Sequence, residues 1–225
     1  MKVYLTPEEV ELMAQAATCL RDALLIRLLF WGGCRVSEAL GIRVEDVNPG
    51  QGTLTIQHLK TRIKLNCPYC NTRLSRAARF CPGCGKDVPA PLRKEQEMHR
   101  IRTIPLEKRT MERLVDFIRR DKTQGLIFKI GRIQAQNIVK TCARKAGVEE
   151  LVNPKTGKVR GVSPHRLRDA FAIMAVQHDD STDAIRMLQE HLGHQSIVTT
   201  MGYRKVAGEE LQEWYSGLYR KEAKV

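Results

Sequence analysis

Ser163-Pro164-His165-Arg166-Leu167-Arg168 is the stretch that decides how this chain is built. Ser at a cap position and Pro in the first turn predict a helix that begins here, and His165 and Arg168 then share one face near its positive end. A guanidinium, an imidazole and the free amides of a helix start can together bind an anion such as phosphate. Leu192-Gly193-His194 follows, and nine residues after its histidine comes Tyr203, whose hydroxyl could serve as a nucleophile.

The composition limits the class of protein. The chain has 225 residues, 42% of them hydrophobic, which suits one main domain with a small appendage. Lys and Arg outnumber Asp and Glu by 38 to 25, and the charge of +13 favours a polyanionic partner, although a basic protein without one has the same balance. No apolar run approaches the roughly 20 residues of a membrane span, and the N-terminus reads as a helix start and not as a signal sequence. We therefore expect an intracellular protein that does not enter a membrane.

The cysteines fall into two groups. Four of them form two C-x-x-C pairs separated by ten residues: Cys67, Cys70, Cys81 and Cys84. Two such pairs can supply four thiolates to one tetrahedral ion, which favours a single structural zinc over iron or a redox pair. The other three lie in apolar helical patterns and are predicted to be small core residues: Cys19, Cys34 and Cys142.

The remaining pattern is mainly helical. Apolar spacing predicts one or two helices from Pro7 to Trp31, and further helices near residues 35–40, 111–120, 133–146, 167–176 and 182–192. Two alternating segments, 53–57 and 100–104, predict an antiparallel hairpin, and the cysteine segment lies between them. The predicted fold class is a mainly helical α+β domain with a small antiparallel sheet and a four-cysteine zinc ribbon inserted over residues 65–92.

Arg35 turns these separate motifs into a recognisable set. It is the arginine of Gly32-Gly33-Cys34-Arg35-Val36-Ser37-Glu38, and with it the chain resembles the catalytic domain of the tyrosine recombinase or phage integrase family over nearly its whole length outside the cysteine insertion. In that family a G-x-R-x-S-E segment, an H-x-x-R helix start, an L-G-H segment and a tyrosine nine residues later converge on one scissile phosphate. Any one motif is weak, whereas the ordered set is specific.

The resemblance implies a catalytic set: Arg35, Lys60, His165, Arg168, His194 and Tyr203. The two arginines would bind phosphate oxygens, and the two histidines would add hydrogen bonds, with His165 also taking the tyrosine proton. The tyrosine would attack phosphorus and leave a 3′-phosphotyrosyl link and a 5′-hydroxyl, while Lys60 would be the general acid for the departing oxygen. This step needs no metal because the guanidiniums supply the positive charge.

Some residues have competing interpretations. Asp169 follows Arg168 where many relatives carry a second histidine, and we expect it to tune hydrogen bonding around His165 without inactivating the protein. Arg35 and Glu38, taken alone, would be an ordinary ion pair on a helix surface. Tyr215 and Tyr219 lie among apolar residues at helical spacing and are expected to pack.

The cysteine insertion is itself basic. Residues 61–103 contain ten Lys or Arg and three Asp or Glu. This balance favours a ribbon that contacts DNA over a solvated loop whose metal only holds a long hairpin tip together. The predicted DNA-binding residues are Arg62, Lys64, Arg73, Arg76, Arg79, Arg100 and Arg102.

The expected function is that of a site-specific recombinase or integrase acting on double-stranded DNA. The family resemblance implies a homo-oligomer, a tetramer on DNA, with accessory DNA-bending proteins as further partners, in the cytoplasm and nucleoid of a prokaryote, an archaeon or its virus. Residues 205–225 should form an amphipathic helix that packs on its own domain or on a neighbouring protomer. We expect the chain to start directly at the catalytic domain, without the family's N-terminal clamp domain.

Two alternatives remain open. One is topoisomerase-like strand relaxation. The other is a DNA-binding regulator on a decayed recombinase scaffold, against which the intact catalytic set argues.

Overall fold

The computed structural model of this chain describes residues 2–75, 77–148, 150–152 and 157–204, and of residues 58–64 and 93–100 it describes the backbone alone. The helices are α1 (Pro7–Gln15), α2 (Leu20–Trp31), α3 (Val36–Gly41), α4 (Lys108–Arg120), α5 (Arg132–Lys145), α6 (Pro164–His178), α7 (Thr182–Leu192) and α8 (Ile197–Arg204). The strands are β1 (Val47–Asn48), β2 (Thr53–Asn66), β3 (Arg73–Leu74), β4 (Leu92–Pro105), β5 (Glu150–Val152) and β6 (Val159–Gly161). The predicted class, mainly helical with small antiparallel sheets, is confirmed.

The N-terminal helices form where the apolar spacing places them. Thr6 caps α1 through a capping box with Glu9, and Pro7 occupies the first turn. In α2 the residues from Leu24 to Phe30 are buried in succession, since this helix packs against α1, α4 and α6 on different sides. α2, which is buried on several sides, is therefore the centre of the core.

The sheet is longer than the sequence pattern indicates. β2 pairs antiparallel with β1, where Val47 faces Leu54, and with β3, where Leu65 faces Leu74; it also pairs with β4. The predicted strands covered only residues 53–57 and 100–104, because alternation weakens toward the cysteine segment. A second, two-stranded sheet of β5 and β6, with Leu151 opposite Arg160, was not predicted.

The chain divides into two compact units. The inserted unit is Gln57–Ile101, and the main unit is formed by the residues before and after it. The inserted unit is wider than the predicted insertion at 65–92, since β2 and β4 carry the chain into it and out again. Among the described side chains of the inserted unit, the buried apolar cluster is Cys67, Leu74, Cys81 and Val88.

Two of the three cysteines predicted to be core residues are in the core. Cys34 and Cys142 are buried, whereas Cys19 is exposed. The prediction for Cys19 is wrong because this residue is the N-cap of α2, where the chain is still outside the helix. Among the described residues, we find no helix with the length and apolar content that a bilayer span requires.

Candidate active site

Arg35 and Glu38 form the first part of the site. Arg35 is the N-cap of α3, its backbone N–H donates to Glu38 Oε2 at 2.9 Å, and its Nη1 donates to Glu38 Oε1 at 2.7 Å. The Glu38 side chain is 0% exposed. The pair is therefore not the surface ion pair that the spacing alone suggests.

Arg168 lies on α6 and is buried. Its Nη1 donates to the Gly33 carbonyl at 2.7 Å and its Nη2 to the Leu192 carbonyl at 2.6 Å, and Nη1 lies 3.7 Å from Glu38 Oε2. These contacts connect the segment before α3, the start of α6 and the end of α7. Ser163 holds the N-cap position of α6, but its side chain makes no capping hydrogen bond, in contrast to the prediction.

Arg102 joins the same network. Its Nη2 donates to Glu38 Oε2 at 2.7 Å, and its Nε donates to the His191 carbonyl at 2.9 Å. Gly193 ends α7 in the left-handed conformation at φ 64°, and a Cβ there would come within 2.9 Å of Arg102 Nη1. Glycine thus serves both the turn and the close approach of the guanidinium. The Arg102 guanidinium is bonded to Glu38 and to the His191 carbonyl. Contact between Arg102 and DNA stays a prediction.

The segment after α7 positions His194 and Tyr203. His194 Nδ1 lies 2.9 Å from the buried Thr200 hydroxyl, and the His194 ring stacks on the Tyr203 ring at 6.2 Å between centroids. Gln189 supports this turn, since its carbonyl accepts from the His194 N–H and its side-chain amide donates to the His194 carbonyl. The histidine and the tyrosine are therefore held by one short helical segment.

The Tyr203 hydroxyl contacts α6. It donates to Asp169 Oδ1 at 3.0 Å. His165 is 74% exposed in its side chain, and its Nε2 lies 3.8 Å from the same Asp169 oxygen. The predicted proton acceptor His165 is therefore near the tyrosine, but the group that receives the hydroxyl hydrogen bond is Asp169.

The buried charges shift one another's protonation. Burial alone would raise the pKa of Glu38, but its bonds to Arg102 and Arg35 outweigh this and lower the pKa to about 2. Burial, followed by the charge of Arg35, lowers the pKa of Arg168 to about 10. Burial, followed by Arg168 and Arg35, lowers the pKa of His194 to about 4. At neutral pH the site contains an ionised Glu38, charged arginines and a neutral His194.

Of the predicted catalytic set, the structure brings five residues into one region of the main unit: Arg35, His165, Arg168, His194 and Tyr203. The sixth, Lys60, lies on β2, and its side chain is outside the described residues. The same holds for Arg62, Lys64 and Arg100, and Arg76 is not described at all. The competing tyrosines, Tyr215 and Tyr219, and the predicted C-terminal helix over 205–225 also lie outside the described residues.

The four cysteines of the inserted unit form a candidate metal centre. Their Sγ atoms all lie within 4.8 Å of one another, with Cys67 and Cys84 3.7 Å apart and Cys70 and Cys81 3.4 Å apart. Sulfurs bound tetrahedrally at about 2.3 Å from a metal are about 3.8 Å apart. The cluster therefore has the size and the ligand type of a four-thiolate site.

The two C-x-x-C segments have the same backbone geometry. In each, the N–H two residues after the first cysteine donates to its Sγ, from Tyr69 to Cys67 at 3.4 Å and from Gly83 to Cys81 at 3.3 Å. The residue four positions after that cysteine, Asn71 or Gly85, has positive φ and donates to the cysteine carbonyl at 2.9 Å in both cases. N–H donors to sulfur stabilise thiolates, so both turns are preorganised for a metal.

Arg73 and Arg79 are exposed in the inserted unit. Arg79 lies over the exposed Phe80 ring at 5.8 Å, and Lys86 lies over the exposed Tyr69 ring at 4.6 Å. Two aromatic rings, each with a cation beside it, therefore face solvent. The sequence did not single out these rings, since nothing in the local pattern shows which aromatic residues remain exposed.

The sequence interpretation considered two neighbours of the predicted set, Glu38 and Asp169, but missed their main contacts. Glu38 contacts three arginines, and Asp169 receives the Tyr203 hydroxyl. The only local signal was their position beside Arg35 and Arg168. Their partners lie far along the chain, and local spacing does not indicate such contacts.

The fold and the site together define a class of domain: a mainly helical α+β domain that brings two arginines, two histidines and one tyrosine into one region. The model of the Phage integrase family matches residues 3–210, and the chain belongs to that family.

Relatives and solved structures agree with this assignment. The chain is 28% identical over 221 residues to tyrosine recombinase XerA of Pyrococcus furiosus, covering 93% of this chain and 59% of that protein. The crystal structure of XerA recombinase is similar with a TM-score of 0.64 and 19% identity, covering 96% of this chain and 65% of that one. A post-cleavage complex of XerH recombinase with its difH substrate is similar with a TM-score of 0.60 and 18% identity, covering 96% of this chain and 53% of that one. The chain thus spans about three fifths of the length of this curated relative.

Proposed function

We propose that this chain cleaves and rejoins double-stranded DNA at specific sites through a covalent link to Tyr203. The observation that supports the proposal is that the predicted catalytic side chains of the main unit lie close together. Arg35 and Arg168 share Glu38, while Tyr203 lies against His194 and against the residue next to Arg168. Cations and hydrogen-bond donors therefore lie in the same region as one tyrosine hydroxyl. The recombinase relatives and the likeness to recombinase structures support the same function.

In the proposed cleavage step, the Tyr203 oxygen forms a bond to phosphorus and the bond from phosphorus to the 5′-oxygen breaks. The phenol proton passes to a neighbouring base, for which His165 is the residue implied by the family. The 5′-oxygen takes a proton from the general acid, for which we propose Lys60. The arginines offset the charge that builds on the phosphoryl oxygens. The 3′-phosphotyrosyl link keeps the bond energy, so rejoining needs no ATP.

His194 suits a hydrogen-bonding role in this scheme. Its lowered pKa keeps the imidazole neutral at pH 7, so one ring nitrogen carries a proton and the other does not. If the Thr200 hydroxyl donates to Nδ1, then Nε2–H is the donor that remains for a phosphate oxygen. The Thr200 contact would thus select the tautomer that binds phosphate.

A nicked suicide substrate tests the proposal. Incubation with the chain should give a covalent 3′ adduct that Tyr203→Phe abolishes. Tyr4→Phe is the matched control, since Tyr4 accepts a bond from Gln177 and is not part of the site. Adducts formed by Tyr203→Phe would contradict the assignment. Tight DNA binding without any adduct would support the DNA-binding regulator instead, and relaxation of supercoiled DNA without strand exchange would support topoisomerase-like activity.

For the four-cysteine cluster we propose one structural zinc ion. Four thiolates at tetrahedral spacing suit zinc, and the proposed cleavage chemistry has no step that needs a metal. The expected result is about one zinc per chain by metal analysis of protein purified without added metal. A coloured protein that contains iron would contradict zinc, and Cys67→Ser should lower the metal content whereas Cys19→Ser should not.

We further propose that the inserted unit contacts DNA. The exposed Arg73 and Arg79 and the two exposed ring and cation pairs support this, since cations bind phosphates and rings pack on sugars and bases. Replacing Arg73 and Arg79 by Ala should weaken DNA binding and reduce its salt dependence by about one unit of slope per lost phosphate contact. Unchanged affinity and slope, also after removal of residues 66–90, would refute the proposal.

The proposed assembly on DNA is a homo-oligomer. The family resemblance suggests that residues 205–225 pack on a neighbouring protomer. Light scattering with and without cognate DNA should then show a larger assembly on DNA, and a chain shortened at residue 204 should remain monomeric under both conditions. The same assembly size for both chains would contradict packing between protomers.

A further inference from the structure

The Tyr203 hydroxyl is engaged in the protein without DNA. It donates to Asp169 Oδ1 at 3.0 Å, and it does so from α8 to α6, across 34 residues of sequence. Asp169 follows Arg168 directly in α6, and the charges of Arg168 and Arg35 act on the same phenol. The nucleophile is thus tied to an acidic group at the edge of a cationic site.

The carboxylate is itself held in place. The Asp169 side chain is 16% exposed, its Oδ2 lies 3.4 Å from Arg166 Nη1, and its Oδ1 lies 3.8 Å from His165 Nε2. A carboxylate fixed on two sides can fix the rotation of a phenol hydroxyl that donates to it. The tyrosine ring is fixed in turn by stacking on His194.

The charges that face Tyr203 act in opposite directions. Burial and then the charge and hydrogen bond of Asp169 raise the pKa of the phenol, while Arg168 and Arg35 lower it, and the balance is upward. The titratable and charged groups around it on α6, α7 and the adjoining turns are Arg35, His165, Arg166, Arg168, Asp169, His191, His194 and the Arg204–Asp180 pair. Of these, Asp169 is the acidic group in direct contact with the hydroxyl.

We propose that Asp169 is the positioning residue of the nucleophile: it fixes the Tyr203 hydroxyl and retains its proton until the scissile phosphate occupies the arginines. The proposal rests on Tyr203 being the nucleophile. While the phenol keeps its proton it is a weak nucleophile, so the DNA-free protein should have little reactivity toward other phosphodiesters. An arriving phosphate oxygen competes with Asp169 for the hydrogen bond of the Tyr203 hydroxyl, the phenol proton passes to the neighbouring base His165, and the tyrosine oxygen is then free to attack phosphorus.

The test measures the ionisation of Tyr203 in the full chain without DNA. The five tyrosines are labelled with ¹³C at Cζ, and the Tyr203 signal is identified by its loss in Tyr203→Phe. In the parent chain this signal should not titrate up to the highest pH at which the protein stays folded. In Asp169→Asn, which keeps an acceptor oxygen but removes the charge, titration should begin at least one pH unit lower. Equal titration in both proteins would overturn the proposal.

Cleavage rates separate positioning from proton acceptance. With a suicide substrate, Asp169→Asn should form adducts at pH 7 at least as fast as the parent chain, with the pH profile displaced to lower pH. Asp169→Ala, which loses the acceptor, should be about tenfold slower at every pH. A loss of 100-fold or more in Asp169→Asn would instead identify Asp169 as the general base and overturn the proposal.

A second variant keeps the test decisive if Asp169→Asn is poorly folded. Asp169→His restores the residue that many relatives carry and also removes the negative charge, so Tyr203 should again titrate at lower pH. The ionisation measurement needs no cleavage. If Tyr203→Phe still formed adducts, the proposed function would fail while the ionisation result would stand.

Discussion

The two units of this chain are stabilised in different ways. The main unit buries a large set of aliphatic and aromatic side chains around α2, and every buried charged residue among the described side chains belongs to it. In the inserted unit the described buried cluster has four members, and two of them are cysteines. One unit is stabilised by hydrophobic burial, whereas the other has little apolar surface to bury.

The difference in buried apolar surface explains why the buried charged residues lie in the main unit. Taking Glu38 and Arg168 out of water costs several kcal/mol per ion before their contacts repay it, and only a core of the main unit's size can offset that. A unit of about 45 residues usually needs a metal or disulfides to fold. We therefore expect the charges of the proposed catalytic set to depend on packing and the inserted unit to depend on the proposed metal.

The largest expected effect is that of metal removal. Structural zinc contributes roughly 10 kcal/mol or more of binding free energy, so chelation should unfold the inserted unit. Hydrogen exchange should show peptides from residues 57–101 losing protection, while peptides from α2 stay protected. Retained protection in residues 57–101 after complete metal removal would show that the inserted unit folds by packing alone. This result would contradict the contrast between the two units.

The next effect concerns the buried charge of the main unit. Glu38→Gln leaves the guanidiniums of Arg35, Arg102 and Arg168 without their carboxylate, and it should reduce the free energy of unfolding by about 3–5 kcal/mol. Urea unfolding measures this. Glu45→Gln is the matched control, since the Arg43–Glu45 pair is exposed and its loss should cost less than about 1 kcal/mol. Equal costs for the two variants would mean that the Glu38 cluster is not effectively buried.

The sequence predicted the helices of the main unit better than the contacts between its side chains. Helical periodicity found α1 to α7, because apolar spacing directly reflects the face that each helix buries, but it did not find α8. It did not find the short β5 and β6, whose three residues each carry little pattern, and it placed Cys19 in the core although that residue precedes α2.

The site shows the same limit. The motifs that resemble the tyrosine recombinase family were enough to assemble Arg35, His165, Arg168, His194 and Tyr203 as a set. They did not reveal Glu38 as the shared partner of three arginines, since Arg102 is 64 residues away from it, nor Asp169 as the acceptor for Tyr203. Such contacts depend on tertiary packing and leave no local pattern.

The pH dependence of the main unit gives a smaller effect. Burial lowers the pKa of His191 to about 4, so this histidine is neutral in the folded chain, while the unfolded chain binds a proton below about pH 6.5. The unfolded state then holds more protons between these values, and stability falls as the pH is lowered from 6.5 toward 4. The loss between pH 7 and pH 5 should be about 2 kcal/mol for this group.

His191→Gln tests the origin of that slope. Gln can still donate to the Gly32 carbonyl but does not titrate, so the pH-dependent loss should shrink by about 2 kcal/mol even if the variant is less stable at pH 7. His178→Gln, at the exposed end of α6, is the matched control for replacing a histidine by Gln outside the core. Glu38 affects stability at lower pH than His191 does. Because its folded pKa is about 2, its contribution to the free energy of unfolding is present above about pH 4.5 and is lost between pH 4.5 and 2. If the stability of His191→Gln fell with pH as steeply as that of the parent chain, the loss of stability above pH 4.5 would come from other groups.

The smallest expected effect concerns a single neutral hydrogen bond in the main unit, between Thr200 and His194 of the proposed catalytic set. Thr200→Val keeps the shape of the buried residue but leaves His194 Nδ1 without the hydroxyl, which should cost about 1–2 kcal/mol of unfolding free energy. Thr200→Ser retains the hydroxyl and should recover most of that loss, and Thr199→Val, exposed on the same helix, should change stability by less than about 0.5 kcal/mol. Because His194 would lose the contact that selects its tautomer, adduct formation should fall in Thr200→Val and be restored in Thr200→Ser, whereas metal content should be the same in all three variants. A Thr200→Val chain that is less stable yet cleaves at the parent rate would show that the contact serves packing and does not orient His194 toward the phosphate.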